Sequence, residues 1–203
     1  QFGFAGTAGA SALRVLLYAP VLLLSACASV PNPRTPAPDA AVREAFLSSH
    51  PDWRIEGRVA YSHLGKGGSA RIVWQQDGEQ ADVRLTAPLA VGSVHIRLSP
   101  DSAQILDADG RLLAQGTPDS VFMQALHTPV PTSGLAAGLR AFWPDLPQLS
   151  EAAMSGSVAV DGWRWQYLEW QDAPVWLPRK IELTRGETRL RILIDVWQEL
   201  PHD

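Results

Sequence analysis

The stretch Trp53-Arg-Ile-Glu-Gly-Arg-Val-Ala-Tyr61 decides the fold. Trp53, Ile55, Gly57, Val59 and Tyr61 alternate with Arg54, Glu56, Arg58 and Ala60. A period of two sends successive side chains to opposite faces, so this is a strand with one apolar face and one largely charged face. Leu64-Gly-Lys-Gly-Gly68 follows as a Gly-rich turn, and the segment Ala70 to Gln76 returns as a second strand. Together they read as a β-hairpin.

The same signal continues outward on both sides. Asp77-Gly78 turns the chain into a strand from Ala81 to Thr86. Val94–Leu98, Ala103–Leu106 and Arg111–Ala114 read as three short strands, with Asp109-Gly110 as a tight turn between the last two. Strands resume at Ser157, with Trp163, Trp165 and Tyr167 on one face and Arg164, Gln166, Leu168 and Trp170 on the other. Ile181–Thr184 is a further strand, turned by Arg185-Gly186. Leu190, Ile192, Ile194 and Val196 then alternate with Arg189, Arg191, Leu193 and Asp195. Strands at regular spacing with short turns predict a mainly β chain, an antiparallel sheet curled toward a barrel.

The segment from Thr117 to Pro147 breaks this period. Thr117-Pro118-Asp119 resembles a helix start with an early proline, and Val121, Phe122, Ala125 and Leu126 form an apolar stripe. Pro129-Val-Pro131 stops that helix. Ser133 to Trp143 suits a second short helix, closed by Pro144 and Pro147. This insert is expected to lie across one opening of the curled sheet. Several strands carry apolar groups on both faces, which is compatible with ordinary core packing or with an apolar hollow under a helical lid. The eight tryptophans favour the hollow, since Trp combines large apolar area with a polar edge.

Upstream, Asp39 to Ser49 has the spacing of a short amphipathic helix stopped before Pro51. Pro31, Pro33, Pro36 and Pro38 mark an extended tether before it. Arg14 followed by the apolar run Val15–Leu24 reads as a secretory signal, well short of the roughly 20 apolar residues of a spanning helix. The run ends in Leu22-Leu-Leu-Ser-Ala-Cys27, with Cys27 the only cysteine of the chain. It looks like a bacterial lipobox, in which the thiol takes a diacylglyceryl group and cleavage leaves Cys27 as a lipidated N-terminus. The expected organisation is a removed signal peptide over 1–26, a lipidated N-terminus and Pro-rich tether over 27–38, and a folded domain over 39–203. A lone cysteine leaves that exported domain to be held by its core rather than by an internal disulfide.

Composition narrows the function classes. The net charge is -4, so there is no basic excess for counterion-driven nucleic-acid binding and no polybasic cluster for anionic lipid. His50, His63, His95, His127 and His202 lack metal-ligand spacing, and no metal site is expected. No serine sits in Gly-x-Ser-x-Gly. Gly65-Lys-Gly-Gly-Ser69 joins two strands and lacks the order of a phosphate loop. Asp107 and Asp109 flank a turn and make no acid/base pair. The chain therefore reads as a non-enzyme, with no cofactor beyond the covalent diacylglycerol and N-acyl chain on Cys27.

Gly57-Arg-Val-Ala-Tyr61, Trp74-Gln-Gln-Asp-Gly78 and Leu85-Thr-Ala-Pro-Leu89 resemble the LolB family of outer-membrane lipoprotein receptors. So do Pro129-Val-Pro131, Trp163 to Trp170, Leu177-Pro-Arg-Lys-Ile-Glu-Leu183 and the ending Arg189-Leu-Arg-Ile-Leu-Ile-Asp-Val-Trp197. The likeness covers Trp53 to Trp197, and it is carried by the order and spacing of these motifs together. It implies an incomplete, half-open antiparallel barrel with a short-helix lid over an apolar cavity, as in LolA and LolB. It also implies the task of accepting acylated lipoprotein cargo from a LolA-like periplasmic carrier and releasing it into the inner leaflet of the outer membrane. The chain would act there as a lipid-anchored monomer facing the periplasm. Ala28 fits that location, because the family's sorting logic retains lipoproteins with Asp after the cysteine in the inner membrane.

By the same resemblance, the family's exposed loop leucine falls on Leu89, with Pro88 fixing the backbone and Leu89 entering lipid; from the residues alone, Leu89 could equally end a strand and be buried. Ala90 replaces the family's glycine and Gly92 comes two residues later, which implies a longer loop. Phe142-Trp-Pro-Asp145 departs from the family's Trp-x-x-Gly stretch after the second helix. The expected cavity lining is Trp74, Leu85, Ile96, Trp165, Ile192 and Ile194, with Phe122 and Leu126 from the lid. A lipid- or glycolipid-binding envelope lipoprotein of similar fold, or a structural lipoprotein without a ligand, would share this pattern.

Overall fold

The hairpin expected at Trp53 forms as β1 (Trp53–His63) and β2 (Lys66–Asp77), in register from Trp53↔Gln76 to His63↔Lys66. Its turn is only Leu64-Gly65, both at positive φ, so the glycines at 67 and 68 belong to β2 rather than to the turn. β3 (Gln80–Thr86), β4 (Ser93–Leu98), β5 (Ala103–Leu106) and β6 (Leu112–Gly116) continue the meander. β7 (Ser157–Val160), β8 (Trp163–Asp172), β9 (Trp176–Arg185) and β10 (Thr188–Glu199) form a second one. The two join where β1 pairs antiparallel with β10, giving one ten-stranded sheet in the order β6-β5-β4-β3-β2-β1-β10-β9-β8-β7. The computed structural model describes residues 40–88, 92–172 and 174–200, all within the second of two units, Pro36–Asp203. Cys27 and Leu89 lie outside the described residues.

The sheet is open, with β6 and β7 as its two edges. Between them in the chain come α2 (Pro118–Leu126), α3 (Leu135–Arg140) and α4 (Pro147–Met154), so the helical insert runs from one edge to the other. Val83 and Ile96 from one wing join Trp165 and Leu183 from the other in a single apolar core with Phe122 and Leu139 of the insert. A flat sheet could not bring both wings to one core, so the sheet is curled around the helices. This is the mainly β, antiparallel sheet curled toward a barrel that the strand pattern predicts, in the half-open, LolA/LolB-like form with a short-helix lid that the resemblance implies.

Local chemistry explains the helices. Thr117 accepts at its side chain from the Ser120 amide, and Pro118 takes an early position where its missing N–H costs nothing. α3 is shorter than the predicted 133–143 because Gly134 enters and Ala141 leaves in left-handed conformations. Pro147, read as a stop, instead starts α4, the converse use of proline at a helix N-terminus. α1 (Ala40–Ser49) packs Leu47 with Phe142 and Leu177 in a second, smaller apolar cluster.

Two bulges shift the alternation. The β1–β10 register slips between Glu56 and Gly57, leaving Asp195 unpaired on β10. Beyond it Trp197 rather than Val196 turns inward, and Trp197 packs on Trp53 with ring centroids 5.4 Å apart while Val196 is exposed. Gly57 permits this, since a Cβ there would strike the Leu193 carbonyl oxygen. On β8 the register slips on either side of Glu169, so Trp170 swings to the side of Tyr167, 5.4 Å away between rings, and leaves Leu168 exposed.

Candidate functional site

All eight residues expected to line a cavity are buried in one core. Trp74, Leu85, Ile96, Ile192 and Ile194 share the concave face of the central strands, Trp165 lies on β8, and Phe122 and Leu126 face them from α2. The structure separates them into two groups. Trp74 and Phe122 border an open cleft of about 520 Å³. Leu85, Ile96, Trp165, Ile192 and Ile194 of the sheet and Leu126 of the insert do not border that cleft and are packed together in the core between sheet and insert. Where a hollow is expected, the insert itself fills the concave face with Val121, Phe122, Leu126, Leu135 and Leu139.

α3 is seated closely on the sheet. Gly138 lies against the Trp165 indole, and any Cβ there would overlap the ring. The Tyr167 hydroxyl donates to the Gly138 carbonyl at 2.9 Å. Burial pushes the Tyr167 phenol well above its usual range, so it is held as a donor. Trp143 meets Trp165 edge-on at 6.3 Å.

The cleft opens between the β2–β3 and β4–β5 turns of the sheet and the starts of α2 and α3. Its floor is apolar, with Trp74, Ala81, Leu98, Phe122 and Leu135, and its rim carries the carboxylates of Glu79, Asp101 and Asp119. Thr132 donates its hydroxyl proton to Asp119, which ties the loop before α3 to the first turn of α2. Trp74 Nε1 donates to Gln76 Oε1 at 2.8 Å, and Gln76 Nε2 donates to the Gly78 carbonyl, so the tryptophan edge is satisfied at the mouth. A second hollow of about 320 Å³ shares Gln76 and Ala136 with the cleft and is bordered by Leu47, Trp53 and Arg140.

Two buried arginines were not legible as site residues. Arg43 of α1 donates to the Trp176 carbonyl at 2.7 Å and to the Arg140 carbonyl at 2.6 Å. Arg140 donates to the carbonyls of Leu47 and His50 at 2.8 and 2.9 Å. Burial lowers both guanidinium pKa values to about 10, which leaves both charged at neutral pH. An arginine in a short amphipathic pattern reads as solvent-facing, so the sequence carries no signal for this role.

The remaining expected positions are placed as follows. Pro88 is exposed, and the Ala87 N–H donates to the Gly92 carbonyl at 2.9 Å. No three metal-ligating side chains gather among the described residues. No helix among them is long and apolar enough to cross a membrane.

Residues 51–197 match the family model described as outer membrane lipoprotein LolB. Similar curated proteins carry the name outer-membrane lipoprotein LolB. That of Xanthomonas campestris pv. campestris (strain B100) is 31% identical over 201 residues, covering 88% of this chain and 92% of the relative. That of Xanthomonas oryzae pv. oryzae (strain MAFF 311018) is 31% identical, covering 94% and 99%. That of Azoarcus sp. (strain BH72) is 33% identical over 182 residues, covering 88% and 91%. The matched span nearly coincides with the stretch whose motifs carry the resemblance, Trp53 to Trp197.

Proposed function

Since the chain belongs to the LolB family of outer-membrane lipoproteins, we propose that it accepts lipoprotein cargo from a LolA-like periplasmic carrier. It binds the cargo's acyl chains against the concave face and delivers them to the inner leaflet of the outer membrane. The observation that carries this reading is the apolar concave face covered by an insert that spans both open edges of the sheet. Cys27, acylated, holds the receptor at the membrane, and Leu89 of the β3–β4 loop contacts lipid during release.

The lid is suited to be displaced. α2 has nine residues and α3 has six, lengths at which helices in water depend on tertiary packing. Their apolar stripes occupy the surface that acyl chains would occupy, so chains and lid compete for one face. Entry begins at Trp74 and Phe122, which border the cleft. Exposing acyl chains to water costs about 0.8 kcal/mol per methylene, so the handover needs carrier and receptor mouths in contact. Direction follows when the receptor binds the chains better than the carrier, and the bilayer better than the receptor. No covalent step is involved.

The test is transfer of a labelled, acylated lipoprotein from purified carrier to this protein. Stoichiometric transfer without nucleotide supports the reading. A protein that takes up free lipid but no lipoprotein would instead favour the lipid-binding alternative.

A further inference from the structure

Leu64 is 65% exposed, the highest exposure among the large apolar side chains described, and it sits at φ +51. It is the first residue of the two-residue turn between His63 and Lys66, with Gly65 at φ +75. Two positive φ values are the signature of a type I′ turn, whose first position strongly favours Asn, Asp or Gly. A bulky side chain is strained there. Both folding terms, solvation and backbone conformation, therefore disfavour leucine at this position, and strain of this kind points to function.

The turn is also placed to reach outward. β2 pairs with β3 only from Arg71↔Thr86 onward, so Lys66–Ala70 run beyond the end of β3. The antiparallel order puts the β1–β2, β3–β4 and β5–β6 connections at one end of the sheet. At that same end the edge strand exposes Leu112 and Leu113, 54% and 64%. The bulge there pairs Leu106 with Leu112 and Ile105 with Ala114, which leaves Leu113 without a partner. Lys66, also exposed, follows Leu64 by two residues and can meet lipid phosphate while its stem lies along the apolar zone.

We propose that the β1–β2 hairpin tip, Leu64 with Lys66, is a membrane-contacting point that enters the interfacial zone of the leaflet facing the receptor, the inner leaflet of the outer membrane. The proposal rests on the reading of the chain as an anchored receptor. A bilayer is the occupant because the tip is a single apolar side chain with a neighbouring cation and no shaped groove, and a fluid interface needs no shape complementarity. The 12 residues between Cys27 and Ala40 can span at most roughly 45 Å, more than the roughly 36 Å length of the 11-residue β1 that carries the tip. The tip therefore adds a contact formed by described residues to any made by the β3–β4 loop.

The experiment uses the mature lipidated protein in phosphatidylethanolamine/phosphatidylglycerol vesicles. Leu64→Cys and Leu168→Cys variants each carry a polarity-sensitive fluorophore; Leu168 is exposed in the middle of β8 and serves as the control. Acylation of Cys27 leaves no competing thiol. The label at position 64 is expected to shift to the blue and to lose most of its emission to lipids brominated on the acyl chains, with neither change at position 168. Aqueous emission at both positions, or a shift at 64 that appears only when a soluble protein carrier is added, would overturn the proposal. Leu64→Asn separates contact from folding. It suits the turn better than leucine, so its unfolding midpoint should match or exceed the native one while cargo insertion slows. Normal insertion by that variant also overturns the proposal. The label reports depth without cargo, so an inserted tip on a protein that takes no cargo supports the tip and overturns only the receptor reading.

Discussion

Arg43 and Arg140 each bind the carbonyls at the end of the other's helix. Arg43, from α1, reaches the Arg140 and Ala141 carbonyls at the C-terminus of α3. Arg140 reaches Leu47 and His50 at the C-terminus of α1. The last carbonyls of a helix lack intrahelical donors and carry its partial negative charge, so a cation there is doubly favoured. The exchange ties the N-terminal helix to the insert without a carboxylate, and Arg43 also holds the Trp176 carbonyl of β9.

Arg140→Met keeps the apolar stem and removes the donors. The carbonyls of Leu47 and His50 would then be left with water or nothing. The expected cost is about 1.5–3 kcal/mol, the range for hydrogen bonds to charged groups, or a fall of roughly 3–12 °C in unfolding temperature for a domain of this size. Thermal unfolding followed by circular dichroism checks it. Arg140→Lys should recover only part of the loss, because an ammonium cannot reproduce the fork. An unchanged midpoint in Arg140→Met would show that the buried charge offsets its own hydrogen bonds.

Gly138→Ala places a methyl group inside the Trp165 ring. Overpacking of this kind costs about 1–3 kcal/mol. The position is helical and not at positive φ, so the penalty comes from the contact rather than from backbone strain. The cost should therefore shrink in a Trp165→Phe background, where the ring is smaller, and a double-mutant cycle reads the coupling. Additive effects would mean that α3 does not seat on Trp165.

Tyr167 gives the protein an alkaline limit. Its folded pKa is raised by burial above the value of about 10 found in unfolded chains. The folded state then holds the proton more tightly, so this contribution is complete below about pH 10 and is lost as pH rises beyond it. Denaturant unfolding between neutral pH and pH 11 should show stability falling above pH 10. Tyr167→Phe should flatten that slope while lowering stability at neutral pH, because the Gly138 carbonyl loses its donor. An equal slope in the variant would assign the alkaline loss elsewhere.

The sheet was legible because its signal is local. Alternation at Trp53–Tyr61 and Leu190–Ile194 divides each strand into an apolar and a more polar face, and all eight residues expected to line the cavity are buried. Alternation cannot anticipate a bulge, so it places Trp170 on the face opposite Tyr167 and gives no inward position to Trp197. The bulge at Asp195 depends on pairing between strands more than 130 residues apart. Pro147 was ambiguous for a similar reason, since proline both ends helices and begins them. The arginine exchange and the filling of the concave face by the insert depend on tertiary placement, to which short-range pattern is blind.

If chains and lid compete for the concave face, weakening the lid should strengthen acyl binding. Phe122 is the residue to change, because it belongs both to the core and to the cleft wall. Phe122→Ala removes its apolar contacts with the sheet and should cost about 3–5 kcal/mol of stability. The vacated volume joins the existing cleft rather than forming a sealed void, so relaxation should bring the cost to the low end. A fluorescent fatty-acyl probe is then expected to bind more tightly to the variant than to the native protein, with the gain tracking the loss of lid packing. Asp101→Asn, at the polar rim on the β4–β5 turn and outside the lid, should leave probe affinity unchanged. A Phe122→Ala protein that is folded by circular dichroism yet binds the probe more weakly would mean that Phe122 holds the chain directly, and that the lid grips the ligand instead of yielding to it.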